Sequence, residues 1–291
     1  MHSASFIRDG GIAGKAAGRI IKAAGIGKLF AMDYRYIDIG LNLFNEQFAG
    51  QEDEIAERAA QQGVGFVITG SSERSSAQAA AYVKDRPDVY ATAGVHPHDA
   101  KRSDAKTIAR LRALFRDNAR MVAVGECGLD YDRMFSPREV QLRVFEEQIG
   151  LAEELEKPLF LHERAAAADF MQVLKKHPQV CPRAVVHCYT GDRATAEQYL
   201  ELGCMIGITG WVCDQRRNAD LLDALQVIPA ERLMAETDAP YLIPRGIRGL
   251  KNPNLPENIV YVVRKLAEVK EMEEERLRVQ LLENTKRFFG I

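Results

Sequence analysis

Short apolar runs rich in β-branched residues alternate with longer amphipathic stretches from Met32 to the C terminus. Runs of this kind are typical of buried β-strands, and the stretches between them have helical spacing. In chain order the runs are YIDIGL at 36, GFVITG at 65, VYATAGV at 89, MVAVGE at 121, PLFLH at 158, AVVHC at 184, CMIGITG at 204 and RLMAETD at 232. This alternation predicts an α/β fold, a (β/α)8 TIM barrel; the structural rival is a doubly wound open sheet, which rarely sustains eight such units.

The amphipathic stretches carry the start and stop signals of helices. EDEIAERAAQQG, from residue 52, ends at Gly63, and glycine is common just past a helix C terminus. SPREVQLRVFEEQIGLAEELEK, from residue 136, has Pro137 near its first turn, where the missing N–H of proline has no partner to lose. The stretches NIVYVVRKLAEV and EERLRVQLLENTKRFF are expected to close the outer ring. Because no linker or low-complexity tract follows residue 33, we expect one catalytic domain over residues 32–291.

Residues 1–31 differ in composition from the rest of the chain. The stretch IRDGGIAGKAAGRIIKAAGIGKLFA is rich in glycine and alanine and carries five Lys or Arg residues against one acid. Such a stretch is compatible with an amphipathic targeting peptide. We favour an N-terminal extension that is non-native or disordered, because Met32 opens MDYRYIDIG in the manner of a natural start. The fold prediction therefore leaves these residues out.

Composition and charge narrow the function classes. Apolar residues make up 46% of the chain and charged residues 27%, as in ordinary globular proteins. The net charge of −2 argues against a generally basic surface for nucleic acid, but not against a local basic groove. Five cysteines without a C-x-x-C pair indicate free thiols in a reducing compartment, so we expect a cytoplasmic protein. No apolar stretch approaches the ~20 residues that span a bilayer, so we expect no membrane partner, and we expect a monomer.

Polar residues gather at the carboxyl ends of the predicted strands, where barrel enzymes place their active sites. Four of the six histidines fall at these ends. In chain order the polar residues are Asp38, Asn42, Thr69, His96, His98, Asp99, Glu126, His162, His187, Thr209, Glu236 and Asp238.

Each of these residues also has a plain structural interpretation. A lone histidine at a strand end is usually a hydrogen-bonded core residue, and Glu126 could pair with Arg133 or Arg164. The four residues together are harder to explain in that way. They lie at the ends of the fourth, fifth, sixth and eighth strands of one barrel, so their side chains can converge on its axis. Two imidazoles and two carboxylates suit a divalent cation, which also compensates the desolvated carboxylates. We therefore predict a metal site formed by Glu126, His162, His187 and Asp238.

The same strand ends carry motifs that resemble the TatD family of metal-dependent deoxyribonucleases, a branch of the amidohydrolase-like metal-dependent hydrolases. The motifs are DIGLNL at 38, ITG at 68, AGVHPHD at 93, VGECGLDYDR at 124, FLHERA at 160, VVHCYTG at 185, IGITGWVCD at 206 and ETDAPYLIPR at 236. The resemblance runs in order from Met32 to Ile291, and ITGWVCDQRR is similar to the branch that gives the family its name.

The resemblance implies a metal-dependent nuclease. The family's metal ligands correspond to Glu126, His162, His187 and Asp238. On the first strand Asp38-Ile39-Gly40 stands where most amidohydrolase-like barrels have H-x-H, and Asp38 could approach a second ion. Fewer nitrogen ligands favour Mg²⁺, with Mn²⁺ as the second choice and Zn²⁺ disfavoured.

The expected reaction is 3′-to-5′ exonuclease hydrolysis of single-stranded DNA, with RNA left open. Glu126 would hold the metal, and Asp238 would also orient the attacking water or accept its proton. His96, supported by His98, would contact the scissile phosphate or protonate the leaving oxygen.

Further substrate contacts are predicted around the barrel mouth. Aromatic residues just past strand ends could stack on bases, although each of them is more often a packing residue. Arginines and lysines of the same loops could form a local basic rim, or simply a solvated surface. The predicted contacts are Asn42, Arg133, Arg164, Trp211 and Tyr241; the wider aromatic set adds Tyr131 and Tyr189, and the wider basic set adds Arg216, Arg217, Arg245, Arg248 and Lys251.

Two departures from the family pattern keep other functions open. Ala165 stands where the family usually has an acid or an amide, and LKNPNLPENI lacks the glutamate of the usual loop after the last strand. The same metal site could cleave an ester or amide, as an aminoacyl-tRNA deacylase would, because amidohydrolase-like barrels host both chemistries. A metal-binding scaffold protein with little turnover is the alternative from another class.

Overall fold

The eight apolar runs form eight parallel strands in a computed structural model that describes residues 34–291. The predicted extension, residues 1–31, lies outside the described residues, so the domain boundary at Met32 stays a prediction. The strands are β1 Tyr36–Leu41, β2 Val64–Ile68, β3 Tyr90–Ala93, β4 Met121–Asp130, β5 Leu159–Arg164, β6 Ala184–Val186, β7 Met205–Ile208 and β8 Leu233–Ala235.

The strands pair in sequence order, and the sheet curves back to meet itself. Each strand is parallel to the next from β1 to β8. A parallel bridge joins Leu41, at the end of β1, to Ala239, and the Asn42 N–H donates to the Ala239 carbonyl at 2.9 Å. The result is a nearly closed barrel, which confirms the predicted fold class and excludes the open sheet.

Helices follow the strands and cover the outside of the barrel. Among residues 34–291 the α-helices are α1 Glu52–Gln61, α2 Glu73–Val83, α3 Thr107–Phe115, α4 Arg138–Leu155, α5 Ala167–Lys176, α6 Arg193–Glu201, α7 Ala219–Val227, α8 Ile259–Val269 and α9 Glu274–Phe289. Both C-terminal helices lie where they were predicted. Pro137 precedes α4 as its cap residue, and Gly63 follows α1 in the left-handed region, with φ +72°. No helix within the described residues is long and apolar enough to cross a membrane.

Two apolar layers hold the barrel together and leave its carboxyl end polar. The larger layer lies between the strands and the helices, which is why the strands read as continuous apolar runs. The smaller fills the barrel interior and includes Ile37, Val122, Phe160 and Met234. The Phe160 ring lies 4.6 Å from the imidazole of His187, so this inner layer forms the floor of the polar site above it.

Candidate metal centre

The fourth strand carries two acidic side chains towards the barrel mouth. Glu126 and Asp130 are four residues apart on β4, and both face His162 on β5. The predicted strand ended at Glu126, but it continues to Asp130 with all its residues buried. Gly128, between them, has φ +145°, and a Cβ there would collide with the His162 carbonyl oxygen. This glycine allows β4 and β5 to approach closely enough for Glu126 and His162 to meet.

Three imidazoles surround the Glu126 carboxylate. Its Oε1 lies 2.8 Å from Nε2 of His187, 3.1 Å from Nδ1 of His162 and 3.4 Å from Nε2 of His96. Burial alone would raise the pKa of Glu126, but the neighbouring histidines outweigh it and hold that pKa well below its ordinary value. The structure therefore brings three of the predicted ligands, Glu126, His162 and His187, into direct contact.

His96 presents an N–H group, rather than a lone pair, to Glu126. Its Nδ1 accepts the backbone N–H of His98 at 3.1 Å, so the proton of the neutral ring is on Nε2. Burial lowers the pKa of His96 to about 3, which keeps the ring neutral at physiological pH. Because an Nε2–H group donates and cannot ligate a cation, this geometry suits His96 to contact a phosphate oxygen.

His187 lies between two carboxylates. Its Nδ1 is 3.2 Å from Oε2 of Glu236, while its Nε2 faces Glu126. Burial would lower the pKa of His187, but the charges of Glu126 and Glu236 outweigh it and raise that pKa well above its ordinary value. Since Glu236 accepts the Nδ1–H, loss of the second proton leaves the Nε2 lone pair directed at the site. Gly207 provides the room for Glu236, because a Cβ there would lie 2.6 Å from Oε1.

His162 has a buried nitrogen atom without a hydrogen-bond partner among the described residues. Its Nδ1 faces Glu126, and its Nε2 lies 3.5 Å from Oδ2 of Asp130 without the geometry of a hydrogen bond. The same Asp130 oxygen is 2.7 Å from Nε2 of His98. Burial would raise the pKa of Asp130, but the neighbouring imidazoles outweigh it and lower that pKa. Asp130 is therefore an ionised carboxylate that accepts a hydrogen bond from His98 and lies near His162.

These donors fit a divalent cation. Possible ligand atoms of His96, Glu126 and His162 lie within 4.8 Å of one another. Glu126 is a buried carboxylate, and an unpartnered buried nitrogen such as His162 Nε2 is costly unless something binds it. Since His96 offers an N–H group, the candidate ligands in this part of the site are Glu126, His162 and the Nε2 atom of His187.

Asp238, the fourth predicted ligand, lies just past β8. It is positioned by Asn42, whose Nδ2 donates to Oδ1 at 2.8 Å. Burial raises the pKa of Asp238 to about 7, against the opposing charge of His187. The charge of Glu126 also acts on this carboxyl, so Asp238 belongs to the same electrostatic centre. Asn42, which was predicted as a substrate contact, holds Asp238 in place.

Asp38, the candidate ligand for a second ion, already accepts hydrogen bonds from groups of the protein. It accepts the backbone N–H of Gly40 at 3.1 Å and that of Thr237 at 2.9 Å, and it also accepts the Thr237 hydroxyl. Burial raises the pKa of Asp38 to about 8. In the loop that departs from the family pattern, the Asn254 side chain donates to the Thr237 carbonyl at 3.1 Å. Asp38 and Asn254 therefore fix the residue that precedes Asp238.

The predicted aromatic contacts differ widely in exposure. Tyr189 is only 3% exposed and packs inside the fold, so of its two interpretations packing fits and stacking does not. Tyr131 donates its hydroxyl to Asp169 at 2.6 Å. Tyr241 is 48% exposed and is the aromatic of this set that presents most of its surface. One face of Trp211 is covered by a guanidinium group 3.6 Å from the ring centroid.

That guanidinium belongs to a cluster of arginines around a second buried carboxylate. Asp214 lies after β7, and its oxygens are 2.7, 3.0 and 3.5 Å from the guanidinium nitrogens of Arg216, Arg217 and Arg245, respectively. The cluster borders an open cavity of about 880 Å³. Of the other predicted basic residues, Arg248 and Lys251 are exposed.

The arginines considered as partners of Glu126 lie elsewhere. Arg164 contacts Asp132 at 2.8 Å, and Arg133 lies 3.8 Å from the same carboxylate. Both are more than half exposed at the barrel mouth. Ala165 is exposed beside them and supplies no polar contact. The charge of Glu126 is thus balanced by imidazoles and not by arginine.

Two carboxylates of the centre were given no role by sequence reasoning. Asp130 lies in the motif VGECGLDYDR, and its four-residue separation from Glu126 on an extended strand was the available signal. Glu236 was placed at a strand end, two residues before Asp238, but nothing local indicates that it holds His187.

Comparisons with known proteins bear on the family and the fold of this chain. The family model described as TatD related DNase matches residues 37–290. The protein named 3′-5′ ssDNA/RNA exonuclease TatD from Erwinia tasmaniensis is 42% identical over 258 residues, which cover 87% of this chain and 99% of that protein. The crystal structure of YJJV, a TatD homologue from Escherichia coli K12, has a TM-score of 0.81 at 32% identity and covers 89% of this chain and 100% of its own. The phosphotriesterase homology protein of Escherichia coli shares the fold alone, with a TM-score of 0.63 at 12% identity over 89% of this chain and 100% of its own.

Proposed function

The chain belongs to the TatD-related DNase family, as its motifs predicted, and on that premise we propose that it is a metal-dependent 3′-to-5′ exonuclease. Its substrate is single-stranded DNA, with RNA as a second substrate, because its relatives carry the name of an ssDNA/RNA exonuclease. One observation carries the proposal: a buried glutamate, Glu126, contacts three imidazoles at the open end of a barrel, and the buried Nε2 atom of His162 has no hydrogen-bond partner among the described residues.

The residues that would hold the cation are Glu126, His162, His187 and Asp238. Two carboxylates and only two imidazoles favour Mg²⁺, then Mn²⁺, over Zn²⁺. When bound, a divalent cation neutralises phosphate oxygens and lowers the pKa of the attacking water. Glu236 keeps the His187 ring in the orientation that directs Nε2 at the site.

The remaining residues of the site would contact the substrate or transfer protons. Asp238, which would also hold the cation, would orient the attacking water or accept its proton. Asn42 holds that carboxylate in one orientation. The neutral His96 donates its Nε2–H to a phosphate oxygen, where negative charge grows during the reaction. His98 supports His96 through its backbone N–H and is itself fixed by Asp130.

We also propose a monomer that acts in the cytoplasm. All five cysteines are free thiols, which agrees with a reducing compartment. An unpaired strand end needs no second subunit to enter an open barrel mouth.

The test is an exonuclease assay on the full chain. The protein is treated with EDTA, dialysed and supplied with Mg²⁺, Mn²⁺ or Zn²⁺, and then incubated with 5′-labelled single-stranded DNA, RNA and blunt duplex. We expect a ladder that shortens from the 3′ end with Mg²⁺ or Mn²⁺, and little cleavage of duplex. Hydrolysis of an aminoacyl ester without nucleic-acid cleavage would favour the deacylase instead. Metal binding without turnover of any substrate would favour the scaffold.

A further inference from the structure

Two large apolar side chains are exposed beside the metal centre. Met134 and Phe135, in the loop between β4 and α4, are 47% and 53% exposed. Among the described residues the other large exposed hydrophobic side chains are Tyr241, just past β8, and Val279 on α9. Scattered exposed residues are ordinary, but here three of four lie in the two loops that follow the acidic strand ends. This placement points to a ligand with an apolar face.

The loop that carries Phe135 is fixed at both ends. The Gln141 side chain accepts the Asp130 N–H at 2.8 Å, and it donates to the carbonyls of Asp130 and Ser136 at 3.0 and 2.8 Å. Ser136 is fully buried, and its hydroxyl donates to the His98 carbonyl at 3.0 Å. Met134 has φ +49°, which is uncommon for a bulky residue. The exposed tip is therefore held in one conformation by buried polar contacts on either side.

Phe135 is continuous with the proposed active site. Its ring centroid lies 4.7 Å from that of His98 at an interplanar angle of 79°, an edge-to-face contact. The His98 ring in turn lies 4.2 Å from that of His96, which faces Glu126. More than half of the Phe135 surface remains accessible beside this chain of rings.

We propose that Phe135, flanked by Met134, is a stacking platform for an unpaired nucleobase next to the scissile phosphate. The proposal rests on the proposed function and deepens it by naming a residue that selects single strands. Both faces of a base inside a duplex are covered by its neighbours, whereas a base of a single strand can turn a face towards this ring. Two exposed side chains are far too small for a stable protein interface, which buries about 800 Å² on each partner.

The first test compares substitutions at Phe135 with a matched substitution at Val279. Phe135→Ala and Phe135→Leu are expected to raise KM for single-stranded DNA about 10-fold with kcat little changed, because a lost stack weakens binding. Phe135→Trp restores an aromatic face and is expected to return KM to the wild-type range. Val279 is an exposed apolar residue on α9, and Val279→Ala is expected to leave KM unchanged. Because Phe135 is exposed, these variants should keep the wild-type Tm.

The second test measures the contact itself. A double-mutant cycle combines Phe135→Ala with an oligonucleotide that lacks the base beside the scissile phosphate. If the ring and the base stack, combining the abasic substrate with Phe135→Ala should raise KM no more than either change does alone. Quenching of a 3′-terminal 2-aminopurine, titrated in EDTA, is expected with wild type and Phe135→Trp and is lost with Phe135→Leu.

Either of two results overturns the proposal: an unchanged KM in both Phe135→Ala and Phe135→Leu, or additive effects in the cycle. A wild-type protein that cleaves no nucleic acid would refute the proposed function instead. The 2-aminopurine titration needs no turnover, so it would still decide whether Phe135 stacks on a base.

Discussion

Within residues 34–291, two buried carboxylates each face three basic side chains, and the chemistry of these two clusters differs. Glu126 faces imidazoles and Asp214 faces guanidinium groups. An imidazole releases its proton near neutral pH and then offers a lone pair, whereas a guanidinium group stays protonated in proteins. The Glu126 cluster can therefore exchange protons for a metal ion, and the Asp214 cluster remains an ion cluster at any ordinary pH.

The two clusters also differ in how exposed their basic side chains are. The histidine side chains around Glu126 are 4% to 18% exposed, whereas the arginine side chains around Asp214 are 47% to 63% exposed. The enclosed imidazoles are shielded from water, which strengthens their interaction with a cation or a phosphate. The arginines keep donors available at the surface, and three positive charges on one carboxylate leave a surplus for phosphates of a bound strand.

The largest effect is expected from Glu126→Gln. The substitution keeps the size of the side chain but removes the charge proposed to bind the cation, so nuclease activity should fall at least about 1,000-fold. The rise in Tm that Mg²⁺ or Mn²⁺ produces in wild type should also disappear. Activity assays and thermal melts with and without EDTA measure both effects.

The matched control for this change is Glu154→Gln, which neutralises an exposed glutamate that pairs with Arg112 on the outside of the barrel. It should retain both activity and the metal-dependent rise in Tm. A Glu126→Gln protein that still gains stability from the metal would show that the ligands lie elsewhere.

A smaller effect is expected when the arginine cluster loses two of its charges. Arg216→Ala combined with Arg217→Ala should raise KM for single-stranded DNA about 10-fold at low salt, with kcat little changed, if these residues contact phosphates. The slope of log KM against log salt should fall by about 1.4, since each phosphate contact on a single strand contributes about 0.7.

Arg143→Ala is the control, because Arg143 is similarly exposed and pairs with Glu147 on α4. If the double variant keeps the wild-type salt slope, the cluster serves only the structure and the basic rim is a solvated surface.

The sequence predicts which strands bring the site residues together better than it predicts where a strand ends or which nitrogen of a histidine carries the proton. Strand periodicity and the parallel topology were enough to bring Glu126, His162 and His187 together, because consecutive parallel strands end at the same rim. The charge of Asp130 made the end of β4 look like a loop, so the strand was predicted too short. The proton position on His96 depends on one backbone N–H, which no sequence pattern specifies.

Side-chain direction was equally hard to predict just past the strand ends. Tyr189 and Tyr241 follow strands in similar sequence contexts, yet one is buried and the other is half exposed. Their difference arises from packing against distant segments, such as the contact of Tyr189 with Tyr199. Phe135 was missed for the same reason: an apolar residue in a loop is predicted to pack, and only the fixed loop keeps it outward.

The smallest expected effect concerns stability and pH at Asp214. Hydrogen bonds from Arg216 hold the pKa of Asp214 below its ordinary value, so its charged form stabilises the fold at neutral pH. Asp214→Asn leaves three arginines without their shared acceptor and should lower Tm by about 2–4 °C at pH 7. The unfolded carboxyl titrates near pH 4 and the folded one lower, so the difference in Tm should narrow as the pH falls below about 4. From pH 5 to 9 the difference should stay constant, because the Asp214 carboxyl is ionised there in both the folded and the unfolded chain. Thermal melts of wild type and Asp214→Asn across this pH range measure the difference in Tm. A difference that follows histidine titration would mean that the Glu126 and Asp214 clusters are coupled.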